Sequence, residues 1–154
     1  MALIFMDSSA VVKRYVQETG SVWVGILFIA VPVNEITIVS ITGVEVVAAI
    51  TRRVRGGTIT PADAASSCAL FLADLGADYQ AIAVTDVLLS QAIRLAQLHS
   101  LRGYDVVHLA AANEVNRLSV TAGTAPILFV SADQELNAAA RSEGLAVDDP
   151  NAHP

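Results

Sequence analysis

Cysteine, basic charge and long apolar runs are all scarce in this chain of 154 residues, and each scarcity removes a class of function. The one cysteine, Cys68, has no partner for an internal disulfide and no paired spacing for a zinc site. Within its Ala-rich helical stretch it reads as packing, and the chain fits a reducing compartment. The nine basic residues are outnumbered by 15 acids, for a formal charge of −6, which argues against a purely electrostatic nucleic-acid binder. The longest apolar run, Val22 to Val33, falls short of the roughly 20 residues that span a bilayer, and Pro32 is expected to break it. No basic stretch precedes that run, so no secretory signal is expected and the protein reads as cytoplasmic, without a membrane role. There is no Gly-rich phosphate loop, no Ser-His-Asp ordering and no Cys/His metal spacing.

What is present is an apolar composition, 54% hydrophobic, in a length that suits one domain with its own core. Ala2–Met6 is continuously apolar and stops at Asp7-Ser8-Ser9, the pattern of a buried strand feeding a helix. Thr19-Gly20-Ser21 separates that helix from one over Val22–Ala30. Glu35–Val39 is β-branched and strand-like, and a helix follows from Val44 to Arg55, closed by Gly56-Gly57. Thr60-Pro61-Ala62-Asp63 starts a helix that runs to Leu75. A strand over Tyr79–Val84 and helices over Val87–His99 and Tyr104–Leu118 come next. The strand Ile127–Val130, a helix through Arg141 and a short strand Leu145–Val147 complete the order. Strands alternating with helices predict an α/β fold, a parallel twisted sheet of four to five strands flanked by helices. Residues 1–149 form the domain and 150–154 a C-terminal tail.

Four carboxylates stand out by position. Ligands of parallel sheets bind outside the carboxyl ends of the strands. Asp7 lies at the end of the first strand, and Asp133 lies just past the strand Ile127–Val130. Asp105 sits in the first turn of a helix, where an acid ordinarily complements the helix dipole, just as Asp133 suits a helix N-cap. Glu45 has no such reading. Its neighbours are Val44, Val46 and Val47 and its i+4 partner is Ala49, so no local cation pairs with it. His108, three residues after Asp105, reads as a hydrogen-bonded core residue, because hard oxygen-ligated cations do not need imidazole. Four oxygen ligands from separate elements suit Mg²⁺ or Mn²⁺ and phosphoryl-transfer chemistry. Two such cations would bring the net charge from −6 to −2.

The stretches Phe5-Met6-Asp7-Ser8-Ser9-Ala10-x-x-Lys13, Thr42-x-x-Glu45, Arg102-Gly103-Tyr104-Asp105-x-x-His108-Leu109-Ala110 and Phe129-Val130-Ser131-Ala132-Asp133-x-x-Leu136 resemble the four motifs of PIN-domain ribonucleases. They look most like the VapC-type toxins of toxin–antitoxin pairs, with motifs in the same order over nearly the whole chain. The resemblance implies a metal-dependent RNA endonuclease with Asp7, Glu45, Asp105 and Asp133 as its catalytic, metal-holding quartet. Ser9 and Ser131 match positions that support those acids. The resemblance also implies a homodimer restrained by a small antitoxin protein. Gly43 departs from the bulkier residue expected before that Glu, and Val22–Val33 is more apolar than the corresponding helix.

Lys13, Arg14 and Arg102 flank motif acids and are the expected holders of RNA phosphates, with the Arg52–Arg55 cluster more distant. Val22–Ala30 is apolar on every side, so beyond its core-facing side it is expected to form a groove for the antitoxin or a second subunit, anchored by Trp23 or Phe28. Two other classes compete. An aspartyl-phosphate phosphatase would use Asp7 as nucleophile, yet it wants a second acid where Ser9 stands and a lysine after Asp105, and Lys13 is the only lysine. A catalytically inert RNA-binding or regulatory protein of the same fold would not need all four acids.

Overall fold

The computed structural model describes residues 1–30 and 33–153, so the expected break at Pro32 and the terminal Pro154 lie outside the described residues. Five strands form one all-parallel sheet in the order β3-β2-β1-β4-β5. They are β1 (Leu3–Met6), β2 (Glu35–Val39), β3 (Tyr79–Ile82), β4 (Leu128–Val130) and β5 (Ala146–Asp148). The helices are α1 (Ser8–Val11, continued by a 3₁₀ turn over Val12–Arg14), α2 (Ser21–Ile29), α3 (Thr42–Arg55), α4 (Pro61–Leu75), α5 (Asp86–His99), α6 (Gly103–Thr121) and α7 (Gln134–Ser142). All strands and helices expected from the sequence are present, with ends within three residues of expectation except for the first helix, which stops at Arg14 instead of reaching the Thr19-Gly20-Ser21 break.

Side-chain alternation turns the short apolar strands into a divider between two cores. Ile4 and Met6 of β1 face the core made with α1, α3 and α4, through Val11, Val46, Ile50 and Phe71. Phe5 points the other way, stacks on Phe129 of β4 with ring centroids 5.9 Å apart, and joins the core made with α5, α6 and α7. The second core is centred on α6, where every residue from Val106 to Ala112 is buried. Near its end the helix turns Leu118 to solvent while Ser119 beside it is buried. Gly43 leaves α3 undistorted. A Cβ there would meet only Leu75 Cδ2, at an ordinary 3.5 Å.

Strand order reverses between β1 and β4. From β1 the chain crosses one way to β2 and β3, and later the other way to β4 and β5. The crevice beyond the carboxyl ends of β1 and β4 is therefore the switch point at which doubly wound sheets bind ligands.

Two expectations about the periphery need correction. Residues 150–153 are not a free tail. Pro150–Ala152 form a 3₁₀ turn with Pro150 buried, and the His153 ring stacks on Trp23 at 4.2 Å. Gly20, at φ +84°, lies so close beneath this turn that a Cβ would stand 2.3 Å from the Pro150 carbonyl oxygen. Lys13 is the second. It is 5% exposed, and its ammonium donates to Glu18 Oε1 (3.0 Å), the Thr19 carbonyl (2.9 Å) and Asn151 Oδ1 (2.9 Å). All three donors are spent on structure, so Lys13 does not reach a substrate. Its pairing with the docked C-terminal turn was not visible in sequence because Asn151 lies 138 residues away.

Lys13→Met leaves three acceptors without their donor. It should destabilise the fold by about 1–3 kcal/mol in urea unfolding, the cost of unmet buried hydrogen bonds. Any nucleic-acid affinity should keep its salt dependence in that variant.

Candidate active site

Asp7 is the first residue beyond β1 and the N-cap of α1. Its Oδ1 accepts from the Ala10 backbone N–H at 3.0 Å and from Ser9 Oγ at 2.7 Å, and the residue is 3% exposed. Burial drives its pKa upward, against the opposing pull of His108 and the Ser9 hydrogen bond. Ser9 also ties the two strand ends together, since its Oγ accepts from the Ala132 N–H at 2.8 Å. Ser131 mirrors it from β4: its Oγ accepts from the Asp133 N–H at 3.1 Å and lies 3.4 Å from Ser9 Oγ. Asn137, which sequence reasoning passed over, braces this loop by donating from Nδ2 to the Ser131 carbonyl at 2.7 Å.

Asp133 caps α7, with Oδ1 accepting from the Leu136 N–H at 2.9 Å. Capping occupies one oxygen only; Oδ2 makes no hydrogen bond to a described residue. Asp105 behaves differently. It is in the first turn of α6 but is not the cap, and its carboxylate makes neither a hydrogen bond nor an ion pair with a described residue. Burial first, then the charges of Asp133 and Asp7, raise its pKa, and His108 and Arg102 only partly offset them.

Glu45, left without a partner by its sequence neighbours, finds one 63 residues away. His108 Nε2 lies 2.5 Å from Glu45 Oε2, and the imidazole is 1% exposed. His108 is thus the buried, hydrogen-bonded residue its position implied, with a site acid as its partner. Burial works against its protonation, but the bond to Glu45 and the nearby Asp7 outweigh burial and raise its pKa. Among the described residues His108 Nδ1 is buried without a partner, so the ring is held by Glu45 rather than by a polar network of its own.

The four acids line one cavity of about 740 Å³, together with Ser9, Val44, Arg52, Arg102 and Tyr104. They come from four elements: the end of β1, the first turn of α3, the first turn of α6 and the loop between β4 and α7. A hard divalent cation would relieve the charge that Asp133 and Asp7 impose on Asp105, and all-oxygen ligands suit Mg²⁺ or Mn²⁺. Among the described residues no three acidic, His or Cys side chains converge tightly enough to ligate a single ion, and the like charges stand apart around the cavity.

Of the three expected phosphate holders, only Arg102 is at this cavity, and Arg52 joins it from α3. Neither forms an ion pair with a described residue. Arg14 is elsewhere: it pairs with Asp78 (2.6 Å) and Asp74 (3.2 Å), and its guanidinium lies 3.8 Å over the Phe28 ring. Adjacency to a motif acid misled here, because the 3₁₀ turn rotates Lys13 and Arg14 away from the strand end. Arg52 was discernible on α3 at i+7 from Glu45, one face of the same helix.

No protein-family model matches the sequence, and no curated protein matches it. Solved structures do match. PAE2754 from Pyrobaculum aerophilum aligns with a TM-score of 0.63 and 17% identity over 98% of this chain and 91% of its own. A chain of VapBC2 from Rickettsia felis, solved bound to a DNA fragment from their promoter, aligns with a TM-score of 0.63 and 12% identity. There the coverage is 96% of this chain and 98% of that one. The fold is PIN-like. At these identities the likeness is one of architecture.

An acid whose surroundings raise its pKa is destabilising in its ionised form, so neutralising Asp105 at pH 7 relieves the metal-free protein. Asp105→Asn should therefore raise Tm in the presence of chelator. Added Mn²⁺, which should raise the Tm of the parent, should no longer do so in the variant. Differential scanning fluorimetry with and without metal measures both.

Proposed function

We propose that the protein is a metal-dependent endoribonuclease, the toxin component of a toxin–antitoxin pair. The observation that carries this reading is that Asp7, Glu45, Asp105 and Asp133, from four elements, all line one cavity at the sheet's switch point, together with Arg52 and Arg102. Those four carboxylates would hold Mg²⁺ or Mn²⁺. Such an ion supplies charge neutralisation on a phosphodiester and a water of lowered pKa.

The chain's own residues supply position. Ser9 orients the Asp7 carboxylate by donating to both of its oxygens, at 2.7 and 3.0 Å. His108 holds Glu45 in the cavity, and the Asp133 cap fixes that side chain at the head of α7. Arg52 and Arg102, free of protein carboxylates, are the groups that would take the phosphates on either side of the cleaved bond. Ser9 in place of a second acid, and the lack of any lysine after Asp105, weigh against an aspartyl-phosphate phosphatase.

A protein partner fits the outer face of α2. Trp23 and Phe28 are not its anchors, since Trp23 is stacked on His153 and Phe28 packs edge-on against Tyr79. Val22, Ile26 and Ile29, spaced i, i+4, i+7, are the exposed residues, and they form an aliphatic stripe. An antitoxin segment with an apolar face, of the kind the VapBC2 pairing brings to mind, would cover it. A homodimer through another surface is compatible with this arrangement.

Sequencing RNA ends after brief expression tests the activity, with Asp7→Asn as control. New ends should appear with the parent and not with the variant, and purified protein should cut RNA with Mg²⁺ or Mn²⁺ and lose this with chelator. The rate of Asp7→Asn should fall by more than about 100-fold, beyond what changes behind a ligand produce. Arg102→Gln and Arg52→Gln should each weaken RNA binding and flatten its salt slope by about 1. An Asp7→Asn protein that still cuts would end the proposal.

A further inference from the structure

The chain has eight aromatic residues, and the fold uses seven of them internally. Phe5, Phe71 and Phe129 are fully buried, Tyr15 and Tyr79 share a buried hydroxyl contact of 2.8 Å, and Trp23 and Phe28 stack on neighbours. Tyr104 is the exception. It is 60% exposed, and its hydroxyl has no hydrogen-bond partner among the described residues. It lines the acidic cavity, directly before Asp105 in the first turn of α6.

Helical backbone holds Tyr104 in place, and the space beside it is open: a Cβ on Gly103 would meet nothing within 4 Å. Around the same cavity lie the exposed Val44 and Ala48, one turn apart on α3, and the cations Arg52 and Arg102. An apolar π face, aliphatic neighbours and unpaired guanidinium groups around one acidic centre match the parts of a nucleotide: base, sugar edge and phosphate. Stacking of a base on an aromatic ring needs a base whose face is free. In a duplex both faces are covered by neighbouring pairs, and the deep groove of an RNA helix excludes side chains.

We propose that Tyr104 is a stacking platform for a base next to the cleaved phosphate. The inference rests on the ribonuclease reading above and adds the residue that receives that base. Tyr104 touches substrate without taking part in bond making or breaking, so its loss acts on substrate binding before it acts on the chemical step.

The test uses the full chain carrying Asp105→Asn, so that RNA is bound and not cut, and a short fluorescein-labelled RNA of mixed sequence read by anisotropy. Adding Tyr104→Ala should raise Kd for the single strand about tenfold, within the range that loss of one stacked base produces. Tyr104→Phe should restore most of the affinity and Tyr104→Leu should not, because the ring is what matters. Kd for the same RNA annealed to its complement should be weaker and indifferent to all three substitutions. An abasic nucleotide walked along the strand should reproduce the tenfold loss at one position, where Tyr104→Ala then costs nothing more. Unchanged single-strand Kd in Tyr104→Ala, or an equal loss on single strand and duplex, would overturn the proposal while leaving cleavage by the unsubstituted protein intact. Failure of the unsubstituted protein to bind or cut any RNA would take down the ribonuclease reading, and this proposal with it.

Discussion

The parallel pairing of β1 with β4 delivers the two strand-end acids to one place. Met6 lies in register with Val130, and the ladder continues one step further through the Asp7 N–H donating to the Val130 carbonyl at 3.2 Å. Asp7 and Asp133 are 126 positions apart in sequence, yet they are fixed by neighbouring backbones. Ser9 and Ser131 lock that junction from both sides. Each side chain bonds a backbone N–H in the segment after β4, so a shift of either strand end would break bonds on both. The other two acids are brought in by the helices packed on opposite faces, Glu45 on α3 and Asp105 on α6. The sheet sets the centre and the helices close it.

Such an arrangement works against stability. Carboxylates facing one cavity repel, and burial adds to the cost for Asp7 and Asp105. Two buried cores, one on each face of the sheet, hold them there, together with the one contact that crosses between the faces at the site, His108 to Glu45. This pattern, stored charge held by a rigid frame, is the general form of a site preorganised for a cation or for developing charge. The frame accounts for the alanines of α6 as well. Small residues from Ala110 to Ala112 let that helix pack closely against α5 and the sheet, which places Asp105 at the cavity and His108 behind Glu45.

Away from the site, Lys13, Arg14 and Arg53 are spent on holding the chain together. Lys13, Arg53 and Glu18 form one network joining the turn after α1, the end of α3 and the C-terminal turn. Arg14 ties the loop after α4 to the ring of Phe28. The positive charge facing the acidic cavity comes down to Arg52 and Arg102. A net charge of −6 is therefore compatible with an anionic substrate: four of the 15 acids stand where cations would meet them, and Arg52 and Arg102 stand beside that point.

Much of this was written in the order of residues. Alternation of apolar strands with capped helices specified a parallel α/β fold, because the period of the apolar pattern reports local geometry and burial directly. The ends of apolar runs at Asp7 and near Asp133 marked the carboxyl edge of the sheet, and an acid amid valines marked Glu45 as out of place in a plain helix. Tertiary structure alone decided which charges are spent and which are free. Arg14 looked available because its partner Asp78 is distant in sequence, as Asn151 is from Lys13, and the partner of the hydrogen-bonded His108 could not be named for the same reason. It also decided the direction of α2: a helix apolar all round carries no phase, so only packing could choose Trp23 and Phe28 for the inside and leave Val22, Ile26 and Ile29 outside. Local pattern reads what each residue prefers, whereas pairing between distant residues depends on where the sheet order and helix packing bring the chain together.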